Sequence, residues 1–180
     1  KYIVVNPSAK AIRNTNANGP AWFVQSIELA KNANEEMTKL TNCDTKKKAI
    51  VHQEFKALAT GMKADTNATI RQTKYAATAL SYISKSKTDQ LTVFSEIYYP
   101  EGWNCYIDGN QVEDFRTNYV LRGVMVPTGK HKIEWKFEPK SMETGSLVSG
   151  IGSVLLLLSC MAIFFVEIKG ELWASDENES

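Results

Sequence analysis

The chain has 180 residues, room for one soluble domain of about 100–150 residues plus appendages. Its 21 basic and 20 acidic side chains give a formal net charge of +1, a balance that argues against nucleic acid as a partner. Three cysteines without CxxC spacing and two isolated histidines offer no metal-ligand pattern, and no cofactor motif occurs. Cys43 and Cys105 read as two separate thiols in preference to a pair, which would need an oxidising compartment and a Cβ distance that sequence does not fix. The chain starts at Lys1, already in strand composition, and is expected to be the tail of a longer polypeptide. No signal peptide is expected in this stretch, so the export route is not encoded in it.

Tyr2 to Val5 reads as a short strand ending at Asn6-Pro7, and Ser8 to Pro20 as a polar loop. Strand composition resumes over Ala21 to Ala30. Asn32 or Asn34 then caps a short helix, Glu35 to Leu40, with Glu35 at capping-box spacing from Asn32. Thr45 to Lys48 is a basic loop tip. Strand character returns at Lys48 to Phe55, Ala68 to Tyr75 and Thr78 to Ser84, whereas Leu58 to Thr66 fits neither template.

Gln90 to Tyr99 enters a run, Phe94 to Pro139, in which aromatic and β-branched residues alternate with polar ones. Pro100-Glu101-Gly102, Asp108-Gly109 and Pro127-Thr128-Gly129 punctuate the run. Asp-Gly between such segments signals a hairpin, because a type I′ turn needs positive φ at both central residues. In His131 to Phe137 the pattern puts Ile133, Trp135 and Phe137 on one face and Lys132, Glu134 and Lys136 on the other. The pattern predicts a meander of antiparallel strands in a β-sandwich or jelly roll, with Arg116 to Arg122 returning beside Asn104 to Ile107.

Thr144 to Val166 contains no charged residue and would span about 34 Å as a helix, enough to cross a bilayer core of about 30 Å. It is apolar all round, unlike the stripe of a soluble core helix. Small residues in its first half, among them Gly145, Ser149 and Gly150, either form a loose entry region or let other membrane helices of the same protein approach closely. Charge counting at the flanks weakly favours a cytoplasmic soluble domain, under a rule that does not govern long domains. The expected organisation is a mainly β soluble domain over residues 1–140 with one short helix, a transmembrane helix over 144–166 and a polar tail over 167–180.

No GxSxG, phosphate-binding glycine loop or HExxH occurs. Asp108 and Glu101 fit turn positions, and His131 fits a strand face between lysines. The aromatics are more informative. Tyr98, Tyr99, Trp103, Tyr106 and Trp135 could stack sugar rings, with Arg116, Asn118 and Arg122 bonding hydroxyls or a phosphate. Alternatively these aromatics fill the core and the arginines pair with Glu96 or Asp108. The core alternative predicts that Trp103 is largely buried at one end of the sandwich and that Arg116 has a carboxylate or carbonyl partner.

The composite of S-E-I-Y-Y-P-E-G-W-N-C-Y-I-D-G-N (Ser95 to Asn110) and R-T-N-Y-V-L-R-G-V-M-V-P-T-G-K-H-K-I-E-W-K-F-E-P (Arg116 to Pro139) resembles the C-terminal end of the YfhO family of bacterial membrane proteins, in its Bacteroidetes branch. The similarity is sharp over Leu91 to Pro139 and diffuse upstream. The resemblance implies a polytopic protein of the inner membrane with a glycosyltransferase-C-like core. An extracytoplasmic β-rich domain would precede the last membrane helix, and sugars would pass from a lipid-linked donor to envelope glycans. It transfers no catalytic residue to this stretch. The implied role is an accessory domain that steers acceptor glycan. The alternative is a membrane-anchored carbohydrate-binding or structural envelope module without enzymatic activity. The expected partners are the membrane, other transmembrane helices of the parent protein, and a glycan or lipid-linked sugar.

Overall fold

The structure, a computed structural model, describes residues 2–4, 8, 10–14 and 16–177. The chain forms two compact units, Lys1–Glu138 and Pro139–Ser180. The first is a mainly β unit with a short helix, and the second is one long helix.

In chain order the first unit contains β1 (Tyr2–Ile3), β2 (Ile12–Arg13), β3 (Ala21–Phe23), β4 (Ser26–Ala30), α1 (Ala33–Thr41) and β5 (Lys48–His52). A 3-10 turn (Gln53–Phe55) leads to β6 (Thr69–Ala76), β7 (Ala79–Ser86), β8 (Gln90–Ile97), β9 (Trp103–Ile107) and β10 (Asn110–Val112). The unit closes with β11 (Phe115–Thr117), β12 (Leu121–Val126) and β13 (Gly129–Phe137). A five-stranded sheet has the order β10-β9-β13-β7-β6, and a six-stranded sheet the order β3-β8-β12-β11-β5-β4. All pairs are antiparallel except β4 with β5.

Between the sheets lie Leu80 and Tyr82, Phe94, Cys105 and Ile107, Val124 and Val126, Ile133 and Trp135. They alternate along their strands with outward residues, the pattern of a sandwich core. Phe94 meets Tyr82 and Trp135 edge to face, at 5.0 and 5.2 Å between ring centres. The other face of the six-stranded sheet is also buried. There Val24, Ala49, Val51, Leu91, Val93 and Phe115 pack under Phe55, Leu58 and Met62. The segment after the 3-10 turn, which matched neither helix nor strand periodicity, is therefore a lid over this second core. Gln90 ties it down: its side-chain amide donates to the Lys63 carbonyl, and its Oε1 accepts from Asp65 N–H at 3.4 Å. Gly123 belongs to the same face. A Cβ there would approach Phe115 Cε2 to 3.0 Å, so a larger residue would need the ring to shift by a few tenths of an ångström.

Three expectations are revised. The run from Phe94 to Pro139 is not a meander in one sheet. β8, β11 and β12 join the six-stranded sheet, whereas β9, β10 and β13 join the other. Arg116 to Arg122 accordingly crosses away from β9, whose neighbours are β10 and β13. Crossing places successive apolar faces opposite one another, which a period of two permits but does not announce. Ala21 to Ala30 is likewise two strands at opposite edges of one sheet, separated where Val24 and Gln25 bond Leu91 and Lys47. Within the expected loop over Ser8 to Pro20, β2 pairs with β1. Val5 and the Asn6-Pro7 turn lie outside the described residues.

Helix α1 starts at the expected cap: Asn32 Oδ1 accepts from Glu35 N–H at 2.9 Å. The return bond of the capping box is displaced by one residue, with Glu35 Oε2 accepting from Lys31 N–H. The Asp108-Gly109 turn has φ of 51° and 88°, the left-handed pair that the dipeptide implied.

The same turn carries an electrostatic clasp. Asp108 Oδ2 meets His131 Nδ1 at 2.6 Å, His131 Nε2 meets the Thr128 carbonyl at 3.0 Å, and Asp108 Oδ1 accepts from Lys132 N–H at 2.8 Å. The Asp108 carboxylate, then the Thr128 carbonyl, raise the His131 pKa, because both want a ring N–H. Lys132 N–H and His131 lower that of Asp108. The raised His131 value means that its stabilisation is full below the ordinary histidine pKa and is lost as pH rises through the folded-state value. The lowered Asp108 value means that its share is lost as pH falls through that value. The melting-temperature difference between wild type and His131→Ala should therefore be largest in mildly acidic solution and shrink in alkali. A difference constant into alkali would contradict the clasp.

The second unit is α2 (Lys140–Glu177). Within it Thr144–Val166, 23 residues of mean hydropathy 2.3, is long and apolar enough to cross a membrane. The helix continues into the expected polar tail as far as Glu177, and residues 178–180 lie outside the described residues.

Candidate functional site

Strand ends from both sheets converge on a cleft of about 420 Å³ lined by Leu80, Glu96, Ile97, Tyr99, Trp103, Arg122 and Phe137. A register irregularity builds it. Between Leu121 and Arg122 the pairing of β12 with β8 jumps from Ile97 to Phe94, so β8 carries extra residues at Ser95 and Glu96. Such bulges re-aim side chains near strand ends. Arg122, opposite Phe94 and in phase with Val124 and Val126, points into the sandwich, and only 3% of it is exposed.

Its guanidinium carbon lies 4.9 Å from the centre of the Trp103 ring and 4.8 Å from that of Trp135, and Nε donates to the Ile97 carbonyl at 2.9 Å. Two indoles are thus cation–π partners of one guanidinium, and desolvation strengthens that contact. Burial lowers the Arg122 pKa, with Asp114 and Glu96 opposing the shift. Burial conversely raises that of Asp114, against the pull of Arg122. The cleft therefore combines aromatic surface from Trp103, Phe137 and the exposed Tyr99 with a buried cation and the Glu96 carboxylate. No cationic excess remains once Glu96 and Asp114 are counted. The arrangement suits a neutral ring bearing hydroxyls more than an anion.

Arg116 and Asn118 form a different constellation. Arg116 Nη1 meets Glu36 Oε2 at 3.0 Å and donates to the Tyr119 carbonyl at 2.6 Å. Glu36 is fully buried on α1, and its Oε1 accepts from Tyr119 N–H at 2.8 Å. Asn118 and Tyr119 both have positive φ, 48° and 70°. Asn118 pairs with Ile50 like a strand residue, its N–H donating to the Ile50 carbonyl and its Oδ1 accepting from Ile50 N–H, each at 2.8 Å. The R-T-N-Y segment is thereby folded into a corner that locks α1 and β5 to β11. Tyr98 stacks edge-on against Phe55 at 6.3 Å, over the second core.

Of the residues singled out in the sequence, Tyr99, Trp103 and Arg122 meet at the cleft, whereas Arg116 and Asn118 are engaged at the corner. Tyr106 lies beyond the cleft, its hydroxyl donating to Glu138 Oε2 at 2.8 Å. Trp103 is half-buried against the core at one end of the sandwich, in line with expectation, tilted against Phe137 at 5.4 Å, while Trp135 is the fully buried indole. Trp103 opens β9 at the rim of the cleft, where its ring contacts Arg122 and Phe137. Arg116 has the expected carboxylate and carbonyl partners, but the carboxylate is neither Glu96 nor Asp108. Arg116 takes Glu36, and Asp108 takes His131. The lining role of Phe137 was visible only as the last inward position of β13. Glu36, eighty residues from Arg116, left no local signal. Cys43 and Cys105 are free thiols; burial pushes the Cys105 thiol far up, leaving it unreactive.

A family described as Bacterial membrane protein YfhO has a sequence profile that matches residues 6–149. No curated protein and no solved structure matches the chain.

Proposed function

The chain belongs to the YfhO family of bacterial membrane proteins, and from that premise we propose that its β unit is an extracytoplasmic accessory domain that holds a glycan beside a membrane-embedded sugar-transfer centre. The observation that carries this reading is the cleft. Trp103, Tyr99 and Phe137 offer ring faces to the apolar side of a sugar, and Arg122 and Glu96 offer a donor and an acceptor to its hydroxyls. No residue here is assigned a catalytic role. Transfer of sugars from a lipid-linked donor to envelope glycans would be the work of the parent protein, with this unit presenting the acceptor.

Two measurements test the proposal. A glycan array probed with the full chain in detergent should show binding to neutral oligosaccharides, and binding to none would overturn the cleft assignment. For the side of the membrane, Ser175→Cys in a background without native cysteines should resist an impermeant maleimide in intact spheroplasts. Ready labelling would place the β unit in the cytoplasm, where envelope glycans are absent.

A further inference from the structure

The outward face of the five-stranded sheet gathers charge that the near-neutral composition conceals. Arg71 and Lys74 on β6, Lys85 on β7, and Lys130, Lys132 and Lys136 on β13 are all exposed. They alternate with the inward Leu80, Tyr82, Ile133 and Trp135, which fixes them on the opposite side of the sheet. The register makes them neighbours. Lys85 stands opposite Lys130, and Ile83 lies between Arg71 and Lys132. Adjacent strands are about 4.8 Å apart, so three strands carry six cations in one compact grid.

Carboxylates also border the face: Glu134, Glu138 and, at the end of β9, Asp108, which accepts from Lys132 N–H at 2.8 Å. Glu134 meets Lys132 Nζ at 2.9 Å, and Glu138 accepts from Asn104 and Tyr106. Lys136 lies 4.7 Å from the Tyr106 ring centre. At the centre of the grid is an apolar side chain, Ile83, 37% exposed. Like charges held this close repel one another, an arrangement that favours an anionic partner.

We infer that this face docks on an anionic lipid headgroup surface. Charge complementarity selects an anion, and the pleated plane of a sheet suits a planar partner better than a chain lying in a groove. The same chain supplies the bilayer context: in sequence only residues 138–143 lie between β13 and the membrane-length segment that starts at Thr144. Exposed Ile83 among cations fits a surface with charged headgroups over an apolar interior. The inference does not depend on glycan binding at the cleft.

The test uses the full chain in lipid nanodiscs, with amine acetylation of each lysine followed by mass spectrometry. In discs containing phosphatidylglycerol, Lys85, Lys130 and Lys132 should react roughly fivefold or more slowly than in phosphatidylcholine discs. Lys46 and Lys47, on the α1–β5 loop, should not change. High salt should abolish the difference. In K85E/K130E/K132E, the remaining Lys74 and Lys136 should lose their protection. Equal labelling in the two lipids, or equal protection in both, would overturn the inference. So would protection in phosphatidylcholine discs by added polyphosphate with no effect of phosphatidylglycerol, which would reassign the face to a soluble polyanion.

Discussion

Glu36→Ala is expected to destabilise the β unit by about 3 kcal/mol, because it removes one member of a buried charge pair and leaves the other with its cost of burial. Glu36 is fully enclosed and serves two donors, Arg116 Nη1 and Tyr119 N–H. Arg116 retains some solvent, with a quarter of its side chain exposed, which keeps the loss at the lower end of the range for such pairs. The Tyr119 N–H would lose its carboxylate acceptor as well. For a unit of this size the loss corresponds to a fall of about 10 °C in melting temperature. Glu36→Ala combined with Arg116→Ala should be less destabilising than the sum of the two single changes, since both act on one contact. A shift of about 1 °C for Glu36→Ala would show that the corner does not hold α1 in place.

The second large effect separates the two tryptophans of the arginine sandwich. Trp135 is 1% exposed and packs on Phe94 as well as Arg122, so Trp135→Ala should cost about 3–5 kcal/mol, much of a typical domain stability of about 5–15 kcal/mol. Trp103 is half-buried at the rim, and Trp103→Ala should cost roughly half as much by the same large-to-small reasoning. Chemical denaturation of the two variants measures the ratio. Equal losses would mean that Trp103 is as much a core residue as Trp135, leaving no ring face for a ligand.

What could be read from the sequence was local. The alternation in His131 to Phe137 correctly assigned Ile133 and Trp135 to the inside and Lys132 and Lys136 to the outside. Asp108-Gly109 specified its own turn, Asn32 its own cap, and the uncharged run from Thr144 its own helix. Each of these signals is written within a few residues. The assignment of strands to sheets was not, because alternation states that a strand has an inner face without naming the neighbour that covers it. The same limit hid the cleft. The register jump of β8 beside Arg122 leaves no mark in the pattern, and Glu36 meets Arg116 across eighty residues of chain. Tyr99, Trp103 and Arg122 could be named as one aromatic-cation group only because strand ends from different sheets happened to share a short stretch of sequence with turn residues between them.

Tyr99 gives the most direct test of the central claim that the cleft binds a glycan. Its side chain lines the cleft yet is 53% exposed, so Tyr99→Ala should leave the melting temperature of the full chain nearly unchanged. Calorimetric titration with the best array glycan should then show affinity lowered roughly fivefold or more, the loss of an aromatic contact of about 1 kcal/mol or greater. Unchanged affinity in a variant that melts like wild type would contradict the claim.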